Sequence, residues 1–393
     1  MFVISIAALQ RNTAILREVK QAAGCRLVVA LKGFACWKAF AYLRDDLDGC
    51  CASGLWEARL AREHFQKHIV TYSPAYDEAD VAALCEFTDH LDFNSLSQWQ
   101  RFREQVLAHP RFISGELLCG LRVNPECSTG TTPMYDPCVA GSRLGITAGQ
   151  LAGADLTGIS GLHFHTLCEQ DSDALETTLA AIEEKFGHWL RLPQFTYLNM
   201  GGGHWITKPS YDRARLVRLV QQARERYGVD VWLEPGEAVA IHSGVLRASV
   251  MDVLESGGHR LAILSVSATA HMPDVLEMPY RPDVFLVDGT PSAARPAVCF
   301  GGENYHLAGE SGPWLYRLGG PTCLAGDVIG DFAFPRALRV GDTLVFDDMA
   351  HYTMVKTTMF NGVKHPSIAL QHADGRLETL REFGYEDFKN RLA

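Results

Sequence analysis

The sequence has no excess of positive charge and no long apolar run, and both absences limit what the protein can bind. Its 393 residues carry 36 lysines and arginines against 46 aspartates and glutamates, a formal net charge of −10. Nucleic acids and anionic membrane surfaces select basic proteins, so we expect neither as a partner. The apolar stretch near the start, MFVISIAALQR, is too short to cross a bilayer and lacks a basic leader. We therefore expect no transmembrane segment and no signal peptide.

Paired metal-binding spacings are missing from the cysteines. The eleven cysteines are scattered singly, apart from the adjacent Cys50 and Cys51, and no two of them form a CxxC pair. We interpret them as reduced thiols and expect a cytoplasmic protein. The chain also lacks low-complexity linkers, long charge runs and any fixed repeat other than a strand–helix unit.

Eight strand-like runs, most of them followed by an amphipathic helical stretch, occupy the first 240 residues or so. Strand–helix alternation on this scale favours an α/β fold, a closed (β/α)8 barrel ringed by helices, over an open doubly wound sheet. The predicted strands are Leu27–Lys32, Gly49–Ser53, His68–Tyr72, His90–Asn94, Leu117–Val123, Ile159–His165, Phe195–Met200 and Val229–Glu234.

The pattern changes in the last third of the chain, where short alternating runs are separated by glycine and proline. This texture predicts a second, all-β domain. We expect the barrel at residues 7–246 and the β domain at 247–393, joined by residues 1–6. The predicted strands there are Leu261–Val266, Asp283–Val287, Ala297–Phe300, Trp314–Leu318 and Thr343–Phe346.

Lys32 follows five consecutive apolar residues, Leu27–Leu31, and so stands where a buried strand ends. A lysine at such a position often extends its ammonium group into solvent. A desolvated lysine instead has a lowered pKa and can form a Schiff base with a carbonyl cofactor. Lys32 alone does not distinguish these interpretations.

Two further strand ends carry groups suited to a phosphorylated cofactor. Three consecutive glycines, Gly201–Gly203, follow the seventh strand, where barrels commonly bind phosphate through backbone amides. Glu234 closes the eighth strand, and its carboxylate could keep a pyridine nitrogen protonated. The alternatives are a tight turn for the glycines and a helix cap for Glu234.

His163 and His165 stand two residues apart on one strand, so their side chains share a face. They could form a metal pair or place one imidazole flat on a cofactor ring. A metal would require more ligands at neighbouring strand ends, and those are few. Because Lys32, the glycines and Glu234 all fit a phosphorylated pyridine aldehyde, we favour stacking by His165 and predict no metal.

The β domain contains a second polar group of residues in the segment GGPTCLAGD. Cys323 could donate a proton, and Asp327 could bind an ammonium group, although a buried cysteine more often serves packing. Further along, Tyr352 could reach a phosphate oxygen.

Taken together, these motifs resemble the fold-III pyridoxal-phosphate decarboxylases, the group that includes ornithine and diaminopimelate decarboxylases. The resemblance covers nearly the whole chain and is carried by ALKGFACW, LHFHTLCE, NMGGGHW, EPGEAV, SATAHMPDVLEMPYRP, LGGPTCLAGD and AHYT. It is strongest to the members that act on the carboxylated polyamines carboxynorspermidine and carboxyspermidine.

This resemblance implies pyridoxal 5'-phosphate as the cofactor and assigns its contacts. Lys32 would carry the cofactor covalently, His165 would stack on its ring, and Glu234 would contact the ring nitrogen. Three residues would hold the phosphate: Gly202, Gly203 and Tyr352. The resemblance also implies a homodimer in which Cys323 and Asp327 serve the partner subunit's cofactor, with Cys323 as the proton donor.

Two departures from the family pattern bear on the substrate. The fourth position of the EPG motif is an arginine in other members and Glu237 here, which suits a substrate ammonium group. Diaminopimelate decarboxylases have a glutamate after the cysteine, whereas this chain has Leu324. Asp274 is a further substrate carboxylate by resemblance. We expect decarboxylation of a carboxylated polyamine. The alternatives are a decarboxylase of diaminopimelate, ornithine or lysine, a non-catalytic cofactor carrier, and a metallohydrolase built on His163 and His165.

Overall fold

The eight predicted strands are present, and they close into a parallel barrel. The computed structural model describes residues 1–130, 132–288 and 293–393. Parallel pairing runs from each strand to the next, and the first strand pairs with the last through Leu27 and Leu233, which closes the ring. The strands are Arg26–Ala30, Gly49–Ala52, His68–Tyr72, His90–Phe93, Leu118–Arg122, Ile159–His163, Tyr197–Asn199 and Asp230–Leu233.

The chain divides into two compact units, and the barrel belongs to Asn12–Val239. The second unit combines Met1–Arg11 with Ala240–Ala393. The predicted limits, 7–246 and 247–393 with residues 1–6, differ from these by a few residues and stay a prediction.

Amphipathic helices cover the barrel strands. The helix Arg213–Tyr227 is representative, because it begins at Asp212, whose side chain accepts the Arg215 N–H, and ends at Gly228 with φ 67°. Its buried face holds the predicted residues Leu216, Leu219, Val220 and Ala223. The other α-helices are Ile6–Ala23, Leu55–Leu60, Glu78–Cys85, Leu96–Leu107, Pro110–Ile113, Ala148–Leu151, Ser172–Leu190 and Glu237–Ala240, with a π turn at Ala61–Phe65 and 3-10 turns at Trp37–Tyr42 and Pro133–Tyr135.

Aromatic rings fill the interior of the barrel. His90 stacks on Tyr197 with ring centres 4.2 Å apart, and His68 stacks on Trp232 at 4.4 Å. Gly161 makes this possible, since a Cβ there would lie 2.2 Å from the Tyr197 ring. The interior is therefore packed, and chemistry is confined to the carboxyl ends of the strands.

The second unit is built on a mixed sheet of ten strands, counted over the described residues. Phe2–Ser5 lies between Gly244–Ser256, its antiparallel neighbour, and Ile368–Gln371, its parallel neighbour. A barrel with a separate sheet domain was the predicted fold class and is confirmed. The remaining strands are His259–Leu264, Val284–Asp288, Asn304–Leu307, Trp314–Gly319, Val328–Phe334, Thr343–Phe346 and Leu377–Arg381, and the helical turns are Ala268–His271, Asp274–Glu277, Phe360–Gly362 and Tyr385–Lys389.

The predicted strand at Ala297–Phe300 is wrong. Side chains take the backbone donors that a strand would give to its neighbour: the Ala297 N–H donates to the Asp347 carboxylate at 3.1 Å, and the Phe300 N–H donates to the Tyr305 hydroxyl at 2.7 Å. The strand nearest in sequence is Asn304–Leu307. Across the described residues, we find no helix with the length and apolar character needed to cross a bilayer.

Candidate active site

Lys32 lies just beyond the first barrel strand, at the carboxyl edge where the predicted site residues of the barrel gather. Its Nζ is 3.4 Å from Nε2 of His165. The side chain of Lys32 is accessible to solvent, while the protein atoms packed around its amine partly desolvate it. Burial lowers the pKa of Lys32, and the nearby Arg122 guanidinium lowers it further. The amine is therefore more nucleophilic at neutral pH than an ordinary surface lysine.

The hydrogen bond at the far side of the His165 ring fixes which nitrogen carries the proton. The Gly202 N–H donates to Nδ1 of His165 at 3.1 Å, so in the neutral ring the proton sits on Nε2, which faces Lys32. Burial, followed by the Lys32 charge, lowers the pKa of His165 to about 3, so the ring is neutral.

Glu234 is buried directly after the last barrel strand, and it is ionised. Its Oε1 accepts the Asn199 side-chain amide at 2.6 Å, and its Oε2 lies 3.7 Å from Nε2 of His163. Burial alone would raise the pKa of Glu234, but His163, His165 and Asn199 together lower it below its usual range. An anionic carboxylate here can keep a pyridine nitrogen protonated.

The glycines after the seventh strand have no room for a side chain. A Cβ on Gly202 would lie 2.3 Å from the Glu234 carbonyl oxygen, and one on Gly203 would lie 2.0 Å from the Leu167 carbonyl oxygen. Gly203 also has a φ of 82°. Within the described residues the Gly203 N–H has no hydrogen-bond acceptor, so it is available to an anion. The cradle fits a phosphate group.

Gly202→Ala is expected to weaken cofactor binding roughly tenfold or more, because the added methyl group would meet the Glu234 carbonyl oxygen and so displace the loop that holds the available Gly203 N–H. Titration of the purified protein with pyridoxal phosphate, followed by absorbance, measures the affinity. Gly149→Ala is the matched control, since a Cβ at Gly149 meets no atom within 4 Å. Equal affinity of the two variants would contradict the cradle.

A metal site is the rival interpretation of the same residues. Ligand atoms of His163, His165 and Glu234 lie within 4.8 Å of one another. However, Nδ1 of His165 already accepts the Gly202 N–H, so its lone pair is not directed at a metal. The surroundings favour the organic cofactor, and the absence of a resident metal stays a prediction.

Arg122 is a site residue whose role the sequence did not reveal. It is the last residue of the fifth barrel strand and is buried, and its Nη2 donates to the His165 carbonyl oxygen at 3.1 Å. Its guanidinium also lies 4.5 Å above the Tyr72 ring. The sequence feature that could have identified Arg122 is its position at the end of a strand. In the structure it is in register with His163.

Glu237 lies in the barrel unit, three residues after Glu234, and begins the short helix Glu237–Ala240. Its Oε1 accepts the Trp205 indole N–H at 3.0 Å. This contact fixes the orientation of the carboxylate near the end of the last barrel strand.

The remaining predicted residues lie in the sheet unit. Asp327 is buried, and its carboxylate accepts hydrogen bonds from the Ser267 hydroxyl at 2.9 Å and from the Thr322 hydroxyl at 2.7 Å. The Cys323 thiol is exposed, and its backbone N–H donates to the Asn361 side chain at 2.8 Å. Asp327 therefore fixes the loop that carries Cys323. A substrate ammonium group would have to compete with the Ser267 and Thr322 hydroxyls for the Asp327 carboxylate.

Asp274 and Tyr352 also have partners inside the sheet unit. Nζ of Lys356 lies 2.5 Å from the Asp274 carboxylate and also contacts Glu277. Tyr352 has a φ of 45° and lies edge-on to the His351 ring at 6.0 Å. The roles assigned to these residues and to Cys323 stay predictions.

The barrel and its sheet domain define a class of protein: a pyridoxal-phosphate-dependent enzyme. The chain belongs to the ornithine, diaminopimelate and arginine decarboxylase family, since the family model described as pyridoxal-dependent decarboxylase, C-terminal sheet domain, matches residues 3–350. The predictions of a decarboxylase and of pyridoxal phosphate as its cofactor are confirmed.

Full-length relatives narrow the comparison. The chain is 45% identical over 392 residues to carboxyaminopropylagmatine decarboxylase of a Synechocystis strain, covering 100% of this chain and 94% of the relative. It is 41% identical to carboxynorspermidine/carboxyspermidine decarboxylase of Campylobacter jejuni, covering 99% and 97%. A crystal structure of carboxynorspermidine decarboxylase from C. jejuni, complexed with norspermidine, matches with a TM-score of 0.85 at 38% identity, over 100% of this chain and 99% of that chain. Diaminopimelate decarboxylase of Helicobacter pylori, at 14% identity, a TM-score of 0.79 and coverage of 100% and 96%, shares the fold.

Proposed function

We propose that this enzyme decarboxylates a carboxylated polyamine in polyamine biosynthesis. The observation that carries the proposal is its full-length similarity, at 41% identity, to a relative named for carboxynorspermidine and carboxyspermidine. Glu237 supports it, because a fixed carboxylate near the site suits a polycationic chain. The acidic protein, with net charge −10, would also attract such a substrate.

Carboxyaminopropylagmatine is the second candidate substrate. It is favoured by the 45% identity to the Synechocystis relative over the whole chain. This substrate ends in a guanidinium group, whereas carboxynorspermidine and carboxyspermidine end in ammonium groups. A carboxylate such as Glu237 can bind a guanidinium through two parallel hydrogen bonds and an ammonium through one. The substrates therefore differ in geometry more than in charge.

The residues of the barrel take the following roles in the proposal. When bound, pyridoxal phosphate supplies an electron sink for the electron pair left by the departing carboxylate. Lys32 would hold the cofactor covalently, the neutral His165 ring would lie against it, and Glu234 would keep the ring nitrogen protonated. The phosphate contacts are assigned to Gly202, Gly203 and Tyr352.

In the proposal the sheet domain supplies the proton donor and, together with Glu237 of the barrel unit, the substrate contacts. Cys323 donates a proton to the carbon that has lost carbon dioxide, and Asp327 anchors its loop. The substrate ammonium groups are assigned to Glu237, Asp274 and Asp327. Binding at Asp274 requires the substrate to replace Lys356, a primary ammonium of the same chemical kind.

A carbon dioxide release assay on the purified, cofactor-loaded protein tests the function. The substrates are carboxynorspermidine, carboxyspermidine, carboxyaminopropylagmatine, diaminopimelate, ornithine and lysine. We expect the highest kcat/KM among the first three. One methylene separates the first two, which corresponds to about 1–3 kcal/mol, so a ratio of roughly 10 to 200 between them is the limit. A preference for any of the last three overturns the proposal.

Glu237→Gln is expected to raise KM for the polyamine substrate roughly tenfold to a hundredfold, because it removes the charge and keeps the oxygen that Trp205 contacts. Cofactor affinity should not change. Glu176→Gln, which removes an exposed carboxylate on the helix Ser172–Leu190, is the control for the loss of one negative charge. Identical KM values for both variants would exclude Glu237 from substrate binding.

We further propose a cytoplasmic homodimer whose active sites are completed across the subunit interface. All eleven cysteines are free, and six of them are buried in the barrel unit, which suits a reducing compartment: Cys25, Cys50, Cys51, Cys85, Cys119 and Cys138. Sedimentation equilibrium measures the assembly, and a monomer at the concentrations used for the activity assay would contradict the proposal.

A further inference from the structure

A line of buried ionisable groups extends from Glu234 into the barrel, and the roles assigned so far do not use it. Asp92 lies on the fourth strand, His163 ends the sixth, and Tyr197 begins the seventh. Their exposed fractions are 0%, 1% and 1%, and that of Glu234 is 3%. Groups this deeply buried are ionised only when they are paired.

His163 lies between the two carboxylates. Its Nδ1 is 3.2 Å from Oδ2 of Asp92, and its Nε2 is 3.7 Å from Oε2 of Glu234. Neither contact has the alignment of a hydrogen bond, so both are electrostatic contacts. The other oxygen of Asp92 accepts the Tyr197 hydroxyl at 2.6 Å. The far oxygen of Glu234 accepts the Asn199 amide.

The position of the ring, between two buried carboxylates, favours a positive charge. A neutral imidazole has one N–H and one lone pair, so one of the two carboxylates would face the lone pair. An imidazolium presents an N–H to each carboxylate and compensates the charge that burial makes unfavourable. The Tyr72 ring contacts His163 edge-on at 5.3 Å and adds no charge.

Gly120 leaves space for the contact between Tyr197 and Asp92. A Cβ on Gly120 would lie 2.2 Å from the Tyr197 hydroxyl and 2.3 Å from Oδ1 of Asp92. Glycine at that position leaves the phenol and the carboxylate the room to meet. The fifth strand is therefore shaped around the contact that orients Asp92.

We propose that His163 is a positioning residue, a buried imidazolium that keeps Glu234 ionised and aimed at the ring nitrogen of the cofactor, with Asp92 as its second counter-ion. The proposal rests on the proposed role of Glu234. The lowered pKa of Glu234 supports the proposal: burial alone would raise that pKa, and His163 is the largest of the influences that lower it. Through this contact the packed interior sets the charge of the group that serves the reaction.

Two measurements on the cofactor-free protein test the charge state directly. In the wild-type protein labelled with 15N in histidine, the signal that is lost in His163→Gln should have the shifts of an imidazolium at pH 7. In His163→Gln, infrared difference spectra recorded during an acid titration should show the band of a protonated carboxylic acid at a pH about one unit or more higher than in the wild type, because loss of the neighbouring charge raises the pKa of Glu234. That band should disappear in the double variant His163→Gln/Glu234→Gln.

Tyr197→Phe is the matched control in the same cluster, since it removes a hydrogen bond to Asp92 but no charge. It should leave Glu234 ionised. If His163→Gln does not fold, Asp92→Asn assigns the histidine signal instead, because it removes the nearer counter-ion.

A neutral His163 ring at pH 7, which a metal ligand or a packing residue would have, overturns the proposal. An acid band at the same raised pH in Tyr197→Phe also overturns it, because the effect would then come from general disturbance. The test remains separate from the proposed function: if borohydride fails to label Lys32 in cofactor-loaded wild type, the cofactor roles fail, while the cofactor-free measurements still decide the charge of His163.

Discussion

Lys32→Ala is expected to lose both the absorbance band of covalently bound pyridoxal phosphate and all decarboxylation. The reason is that the amine beside His165 is the nucleophile that the geometry provides, with its Nζ 3.4 Å from Nε2 and its pKa lowered by burial and by Arg122. Borohydride reduction of the loaded protein, followed by peptide mass spectrometry, should place the cofactor on residue 32 in the wild type only.

Lys38→Ala is the control for this prediction. Lys38 is exposed six residues further along, with its Nζ 4.3 Å from the Trp37 ring centre, so it carries the same charge outside the site. It should keep the band and the label. A retained band in Lys32→Ala, or a label on another lysine, would refute the assignment of Lys32.

The second large effect is expected for Cys323→Ala, in which kcat should fall roughly 10²- to 10⁴-fold, the usual contribution of a positioned proton donor. Cofactor absorbance should not change, because Cys323 is assigned to the substrate carbon and not to the cofactor. The thiol is exposed on a loop that Asp327 and Asn361 fix, so its removal should not affect stability. Steady-state kinetics with the preferred substrate measure the change.

Cys299→Ala controls for loss of a thiol in the same domain, since Cys299 is partly buried and contacts the Pro296 carbonyl oxygen at 3.3 Å. Mixing Lys32→Ala with Cys323→Ala extends the test to the assembly. If the subunits exchange and share active sites, random pairing should restore about a quarter of the wild-type activity. No restoration after proven subunit exchange would mean that Lys32 and Cys323 act within one chain.

Much of the site was predictable from the sequence because its residues stand at strand ends. Runs such as Leu27–Leu31 mark buried strands by local composition alone, and once eight such strands close, their carboxyl ends meet. Lys32, His165 and Glu234 could thus be grouped before any contact was known. The helix residues Leu216 to Ala223 followed in the same way from the helical period.

Sequence-based prediction failed where contacts between residues far apart in the chain decide the local structure or the partner of a side chain. Ala297–Phe300 alternates like a strand, but Asp347, 50 residues further on, takes the Ala297 N–H. Asp274 has the composition of a surface acid, yet Lys356, 82 residues away, pairs with it. Local pattern carries no information about such partners.

The sequence by itself determined the barrel, its sheet domain and the set of reactive groups, because periodicity and strand ends are local properties of the chain. Only the tertiary structure decided how those groups are charged. His165 and Lys32 lie 133 positions apart, and Tyr197 and Asp92 lie 105 apart. Their contacts exist only when the barrel has closed, and burial within it sets which of them hold protons.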